Sequence, residues 1–313
     1  MRNLQHSVTD LWQEFLHAIS DAFETRQDKI YLSITLIIGA ITRGYFLSQP
    51  MRYDESFTFL NFVNKELPFL FFYPLPNNHV LHSILVKLSV LVWGAHPVTI
   101  RLPAFFAGLL TIPLTFLLCR IIAGRKTGLV ASMAVTVSPF LILYSTNARG
   151  YTLLVFLSLL LAILGIFFIQ KPLLSRAIII SFLAALGMFT MPSMLFVIAG
   201  LYIWIGALLF IKERSLKIVL QKFFIPCGIF TAFFTIFLYL PVVRVSGGVT
   251  TIISNGAVTS QPWSDFLYGL FPHIQETFSN FQRDIPTIII YCGLFFLIVG
   301  LSVSIKEKNW ASD

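Results

Sequence analysis

Charge is what this chain lacks most. Charged residues make up 12% of its 313 positions and hydrophobic residues 57%, with a mean hydropathy of +0.82. A soluble domain carries about 25% charged residues, so this composition excludes a water-facing globular fold and points to the polytopic membrane class. Cysteine is sparse too. Cys119, Cys227 and Cys292 are odd in number, lie inside apolar segments and lack metal-ligand spacing, which excludes a disulfide framework and leaves them as packing residues. Residues 1–29 have no apolar h-region and carry Asp10, Glu14, Asp21, Glu24 and Asp28, which excludes a cleaved signal peptide. Leu11, Trp12, Phe15, Leu16, Ile19 and Phe23 instead recur at helical spacing and predict an amphipathic helix on the cytoplasmic membrane surface.

What is present is a series of long apolar runs, at about 30–48, 98–119, 127–146, 151–170, 176–191, 194–211, 223–243 and 285–305. They predict an all-α bundle of about eight transmembrane helices. The segment 79–95 is apolar but interrupted by His79, His82 and Lys87. The basic residues decide its placement. If it does not span, 14 of the 22 Lys and Arg fall in cytoplasmic segments, clustered at 120–126, 171–176 and 212–222. If it spans, two of those clusters flip outward against the positive-inside rule. The segment is therefore expected to be an interfacial helix in a first outer loop, residues 49–97. A second outer loop covers 244–284, and the whole chain reads as one membrane domain, residues 1–313, without a separate soluble domain. The formal charge of +8 thus reports topology in a lipid bilayer, and nucleic acid is not an expected partner.

Ionisable groups are missing from the apolar middles of the helices from 127 onward, which argues against an ion-coupled small-solute transporter. They gather instead at the outer interface, the depth of a lipid-linked phosphate. Group transfer from such a lipid needs a base for the acceptor and cations or a metal for the leaving phosphate. Asp54, in Tyr53-Asp54-Glu55-Ser56-Phe57, is a candidate base or the N-cap of a helix over 55–66. Arg43, Arg52, Lys87 and Arg149 are candidate phosphate partners. His79 and His82 share a helix face at i, i+3 and are either metal ligands with a carboxylate or interfacial residues. Trp263, Tyr268 and His273 in the second loop either stack on a sugar or anchor at the interface.

Taken in order, Thr42-Arg43-Gly44-Tyr45, Tyr53-Asp54-Glu55-Ser56-Phe57, Asn78-His79-Val80-Leu81-His82, Ile100-Arg101-Leu102-Pro103-Ala104, Ser138-Pro139-Phe140 and Arg149-Gly150-Tyr151 resemble the dolichyl-phosphate-mannose-protein mannosyltransferase superfamily, GT-C glycosyltransferases related to aminoarabinose transferases. The resemblance implies a GT-C-like bundle with juxtamembrane helices in the first outer loop. It also implies Asp54 as catalytic carboxylate with Glu55 beside it, and a substrate site drawn from Arg43, Arg52, His79, His82, Lys87, Arg149 and Tyr151. A divalent metal ion on Asp54 and His79 is the one cofactor it suggests. The implied donor is a polyprenyl-phosphate-linked sugar, the acceptor a glycan, lipid or protein, and the location the plasma (inner) membrane with the site on the non-cytoplasmic face. Three features depart from the family pattern: Val80 and Leu81 replace prolines, no acidic residue follows Arg149, and the chain is short. Shortness leaves room for a different class, a non-catalytic lipid-carrier-binding or flippase-partner protein.

Overall fold

The computed structural model describes residues 2–22, 25–74, 77–250 and 262–284, and every regular element among them is helical. Helix α1 (Arg2–Ala22) precedes α2 (Arg26–Gly44) and a short α3 (Tyr53–Thr58), which runs on through a π turn at Phe59–Val63. A 3-10 turn at Leu67–Phe71 leads to α4 (Val80–Trp93), α5 (Pro97–Ala123), α6 (Arg125–Val137), α7 (Pro139–Ser145), α8 (Tyr151–Gln170), α9 (Leu174–Thr190) and α10 (Met194–Glu213). Helix α11 (Leu216–Val245) contains a π turn at Leu220–Phe224. All of these lie in one unit, residues 1–257. A second unit, residues 258–313, contains α12 (Trp263–Asp284), on which Trp263, Tyr268 and His273 are exposed.

Among the described residues, α5, α8, α10 and α11 are long and apolar enough to cross a membrane, and α6 with α7 makes a fifth span if the pair, bent by 57°, counts as one. The expected eight are thus four or five by this measure. Helix α2 carries Arg26, Asp28, Lys29 and Arg43, and α9 has 17 residues. The expected span 285–305 and Cys292 lie outside the described residues. Helix α4 has 14 residues, about 21 Å of rise, which is short of the ~30 Å hydrocarbon core.

The bundle is polar at its two ends and apolar between them. Ile112, Phe116, Leu161, Ile163, Phe168, Ile205 and Phe223 are among the buried residues that join α5, α8, α10 and α11. At one end the buried Asp28 carboxylate accepts from Arg125 Nε (2.7 Å), Arg120 Nη1 (3.1 Å) and Thr25 Oγ1 (2.7 Å). Glu14 of α1 accepts there from Lys171 (2.6 Å) and Arg176 (2.7 Å). These ion pairs strap α1 to the bundle, with Leu11 buried toward Leu160, Leu164 and Ile179. The helix is amphipathic, as its spacing predicts, but part of its apolar stripe meets protein, while Trp12 and Leu16 stay exposed.

The break between α6 and α7 follows from Pro139, which has no N–H to offer the carbonyl of Val135. Arg43, fully buried at the end of α2, supplies the missing donors. Its Nη2 donates to Val135 O (3.1 Å), Nη1 to Thr136 O (3.1 Å) and Nε to Ser145 Oγ (3.1 Å). Gly108 of α5 permits the close approach of α7, since a side chain there would overlap Ser145. Replacing Arg43 with Met is expected to strand these carbonyls, at about 1–3 kcal/mol for each buried group left unpaired. A lowered thermal unfolding midpoint in detergent micelles checks this.

Candidate active site

The segment between α2 and α5 folds over the end of the bundle opposite Asp28. Helix α3 begins at Tyr53, two residues before the sequence suggests, with Arg52 at the N-cap. Asp54 is therefore not the N-cap but sits in the first turn. Helical spacing turns Glu55, Thr58 and Phe62 inward and leaves Asp54 outside. Asp54 has no hydrogen bond or ion pair among the described residues, whereas its neighbour is fully engaged.

Glu55 has no exposed surface. Arg101, 1% exposed near the start of α5, grips it with both edges of the fork: Nε to Oε1 at 2.8 Å and Nη2 to Oε2 at 2.7 Å. The backbone N–H groups of Arg52 (2.8 Å) and Ala148 (2.7 Å) donate to the same carboxylate. Arg101 completes its donor set on the carbonyls of Leu47 (2.7 Å), Gln49 (2.8 Å) and Pro50 (3.1 Å). Burial by itself would raise the Glu55 pKa. The Arg101 guanidinium and the two backbone donors outweigh it and hold the carboxyl below the usual range. Glu55 is thus the knot that joins the α2–α3 loop, α3, α5 and the loop before α8, leaving no lone pair facing solvent. Arg101 did not enter the site expected from sequence. The signal for it was an arginine at the head of an apolar run, which in a membrane protein requires a buried partner.

Next to Ala148 lies Arg149, 5% exposed. Its Nη1 donates to Thr58 Oγ1 (2.8 Å) and Asn77 O (2.7 Å), and its Nη2 lies 3.3 Å from His79 Nε2. His79 Nδ1 accepts from the backbone N–H of Gly150 at 2.8 Å. A side chain at Gly150 would collide with Thr190 and crowd His79. The Tyr151 ring stands edge-on to His79, centroids 5.3 Å apart, and meets Tyr144 at 4.7 Å. Burial, then the charge of Arg149, pushes the His79 imidazole well below its ordinary pKa and lowers His82 to about 3, so both rings are neutral at pH 7. His82 is fully buried, and neither of its ring nitrogens has a partner.

Other residues expected at the site fall into two groups. Arg43 holds the α6–α7 break, and Lys87 caps the end of the α3 segment through the carbonyls of Val63 (2.8 Å) and Lys65 (2.9 Å). Both are tied to backbone. Arg52 is half-buried, and its side chain lines a groove of about 370 Å³ with Phe46, Gln49, Pro139, Leu143 and Thr146. Asn78, also unexpected, fixes the turn into α4 by donating to Leu70 O (2.9 Å) and Phe72 O (2.8 Å) while accepting from Ser83 (2.8 Å).

The residues at this end do not fit a divalent cation. His79 Nδ1 accepts from Gly150 N–H, and its Nε2 faces a guanidinium, which repels a metal. Among the described residues no group of three or more His, Cys, Asp or Glu side chains is placed to hold one.

A family model described as dolichyl-phosphate-mannose-protein mannosyltransferase matches residues 78–243, more than half of the chain. The match includes His79, His82, Arg101 and Arg149 and begins after the Asp54–Glu55 turn. Comparison with curated proteins and with solved structures found no match.

Substituting Glu55 with Gln leaves Arg101 buried without its counter-charge, and breaking such a pair costs about 3–5 kcal/mol. The wild-type chain is also expected to lose stability in acid. A carboxylate whose folded pKa is depressed contributes fully above its free value of 4.5, and the contribution disappears as pH falls below that toward the folded pKa. Unfolding followed by intrinsic fluorescence from pH 7 to pH 3 tests both, since the Gln variant should lack the Glu55 part of the acid transition.

Proposed function

The chain belongs to the dolichyl-phosphate-mannose-protein mannosyltransferase family, a family of membrane glycosyltransferases, and from that premise we propose that it transfers a sugar from a polyprenyl-phosphate donor to an acceptor hydroxyl. In this reading Asp54 is the general base. Its carboxylate takes the acceptor proton as the acceptor oxygen attacks the anomeric carbon. The bond from that carbon to the phosphate oxygen breaks, and the phosphate leaves on the lipid.

The observation that carries the reading is the division of labour between two adjacent carboxylates. Glu55 is saturated with donors and immobile, while Asp54, one residue away, is exposed, unpaired and on the same rigid turn. A base needs a free lone pair held in a fixed direction, and the clamp supplies the second condition while leaving the first to Asp54. Arg52, two residues earlier on the groove lined by Phe46, Pro139 and Leu143, is the accessible cation nearest in sequence and suits an anionic headgroup with an apolar tail. Arg149 is a second phosphate partner. Glu55 acts through Asp54 and Arg149 as a positioning residue. The proposal places this end on the non-cytoplasmic face of the plasma membrane, because the basic residues 120, 125, 171 and 176 gather at the other end. No step is routed through a metal, given the donor set at His79.

Asp54→Asn is expected to reduce transfer by about 10²-fold or more with an unchanged unfolding midpoint, measured with radiolabelled polyprenyl-phosphate sugar in reconstituted membranes. Undiminished transfer by that variant removes Asp54 from the chemistry, and binding of the lipid without any turnover by the wild-type chain favours a carrier-binding protein instead. Treatment with a chelator is expected to leave the rate unchanged in the same assay.

A further inference from the structure

Two ion pairs fix helix α1 to the bundle, and the packing beside them is incomplete. Glu14 offers one oxygen to Lys171 Nζ (2.6 Å) and the other to Arg176 Nη2 (2.7 Å), so two cations share one carboxylate. Arg176 is 1% exposed, and its Nη1 donates to Phe167 O. Its Nε is buried without a partner, a donor with no acceptor in a cluster that already carries one positive charge in excess. Next to the cluster lies a partly open cavity of about 220 Å³, lined by Leu11, Trp12 and Phe15 of α1, Leu160 and Leu164 of α8, and Ile179 of α9. The register fixes how the two relate. Helices α8 and α9 run in opposite directions, with Phe167 beside Arg176 at one end and Gly150 beside Thr190 at the other. Leu164 stands three residues before Phe167 and Ile179 three after Arg176. On both helices the cavity therefore begins nearly one turn, about 4.5 Å, further into the bundle than the charges.

We propose that the cavity and the cluster of Glu14, Lys171 and Arg176 together bind an anionic glycerophospholipid from the leaflet at this end, with one acyl chain in the cavity and the phosphate at the two cations. The layout matches such a molecule: surplus positive charge and a spare donor at the bundle end, and an apolar slot one turn inward. Among the six lining side chains the Trp12 indole N–H is the one polar group. A peptide segment entering the cavity would leave its backbone unsatisfied, whereas a hydrocarbon chain needs no partner. Trp12 is 59% exposed at the rim, the position an indole takes between headgroups and chains. The groove on the other flank of α1 meets Glu14, His17, Asp21 and Arg120 and carries both signs of charge, which does not select an anion. None of these residues takes part in the proposed sugar transfer, so the site stands or falls independently of that reading.

Trp12 makes the site measurable. The full chain is reconstituted in phosphatidylcholine vesicles containing a small, equal fraction of brominated-chain phosphatidylglycerol or brominated-chain phosphatidylcholine. The Trp12 signal is the difference in fluorescence quenching between wild type and Trp12→Phe. Brominated phosphatidylglycerol is expected to quench Trp12 as though enriched about fivefold over brominated phosphatidylcholine, the effect of one net basic charge beside an anionic lipid. Lys171→Gln, at a side chain 63% exposed, cancels that net charge and should bring the ratio close to one. Leu160→Phe narrows the cavity and should lower quenching by the anionic lipid to the level of the zwitterionic one, with Lys171 and Arg176 still in place. Should Leu160→Phe fold poorly, Lys171→Gln alone decides. Equal quenching of wild type by the two lipids overturns the proposal, because a slot that takes any chain does not recognise the headgroup. An anionic preference that survives either substitution also overturns it, since it then reports general attraction to a basic surface. Absence of Trp12 quenching by both lipids overturns it as well and points to a protein covering this edge of α1.

Discussion

The end of the bundle that carries α3 depends on one buried ion pair. Glu55 and Arg101 together hold a peptide turn, a helix start, the head of α5 and the loop before α8. Ion pairs in low-dielectric surroundings usually recover little more than the cost of desolvating them. This one is favoured by completeness, because all five guanidinium donors and both carboxylate oxygens are used and no lone charge remains. The surrounding loops have few apolar contacts of their own. Leu70, Val63, Val86, Ile100 and Ala148 form only a small satellite core, so polar bonds fix positions that packing alone would leave loose.

The two ends of the bundle solve the same electrostatic problem in opposite senses. At one end a carboxylate, Asp28, is surrounded by cations supplied from α5 and α6. At the other, an arginine is surrounded by carbonyls and a carboxylate. At each end the buried carboxylate is matched by a cation within hydrogen-bond reach, so no buried carboxylate is left without a counter-charge. The Glu55 end differs by retaining groups without side-chain partners, Asp54 and Arg52 near the surface and His82 beneath.

Much of this was legible in the sequence, and the failures have physical causes. The expected helix 151–170 coincides with α8 because Gly150 and Lys171-Pro172 punctuate it at both ends. Counting basic residues set the segment of α4 apart from the spans, and α4 is indeed shorter than a span needs. Ser138-Pro139, by contrast, sat inside an apolar run long enough to hide the break it causes. Composition cannot show which of two adjacent carboxylates turns inward, since that depends on a helix start two residues earlier than expected. The i, i+3 histidine spacing falls at the start of α4, with His79 at its N-cap and His82 in its first turn, but the charge that meets His79 comes from Arg149, 70 residues away.

The Arg43–Pro139 relation also bears on how this sequence can change over time. Proline at 139 removes a donor, and arginine at 43 replaces it, from a different helix and nearly a hundred positions away. Loss of the arginine alone strands carbonyls, and loss of the proline alone restores the helical ladder and competes with the guanidinium for Val135 O. Each residue is therefore conditional on the other. In descendants of this chain the two should be inherited together or replaced together, a linkage that distance along the sequence conceals.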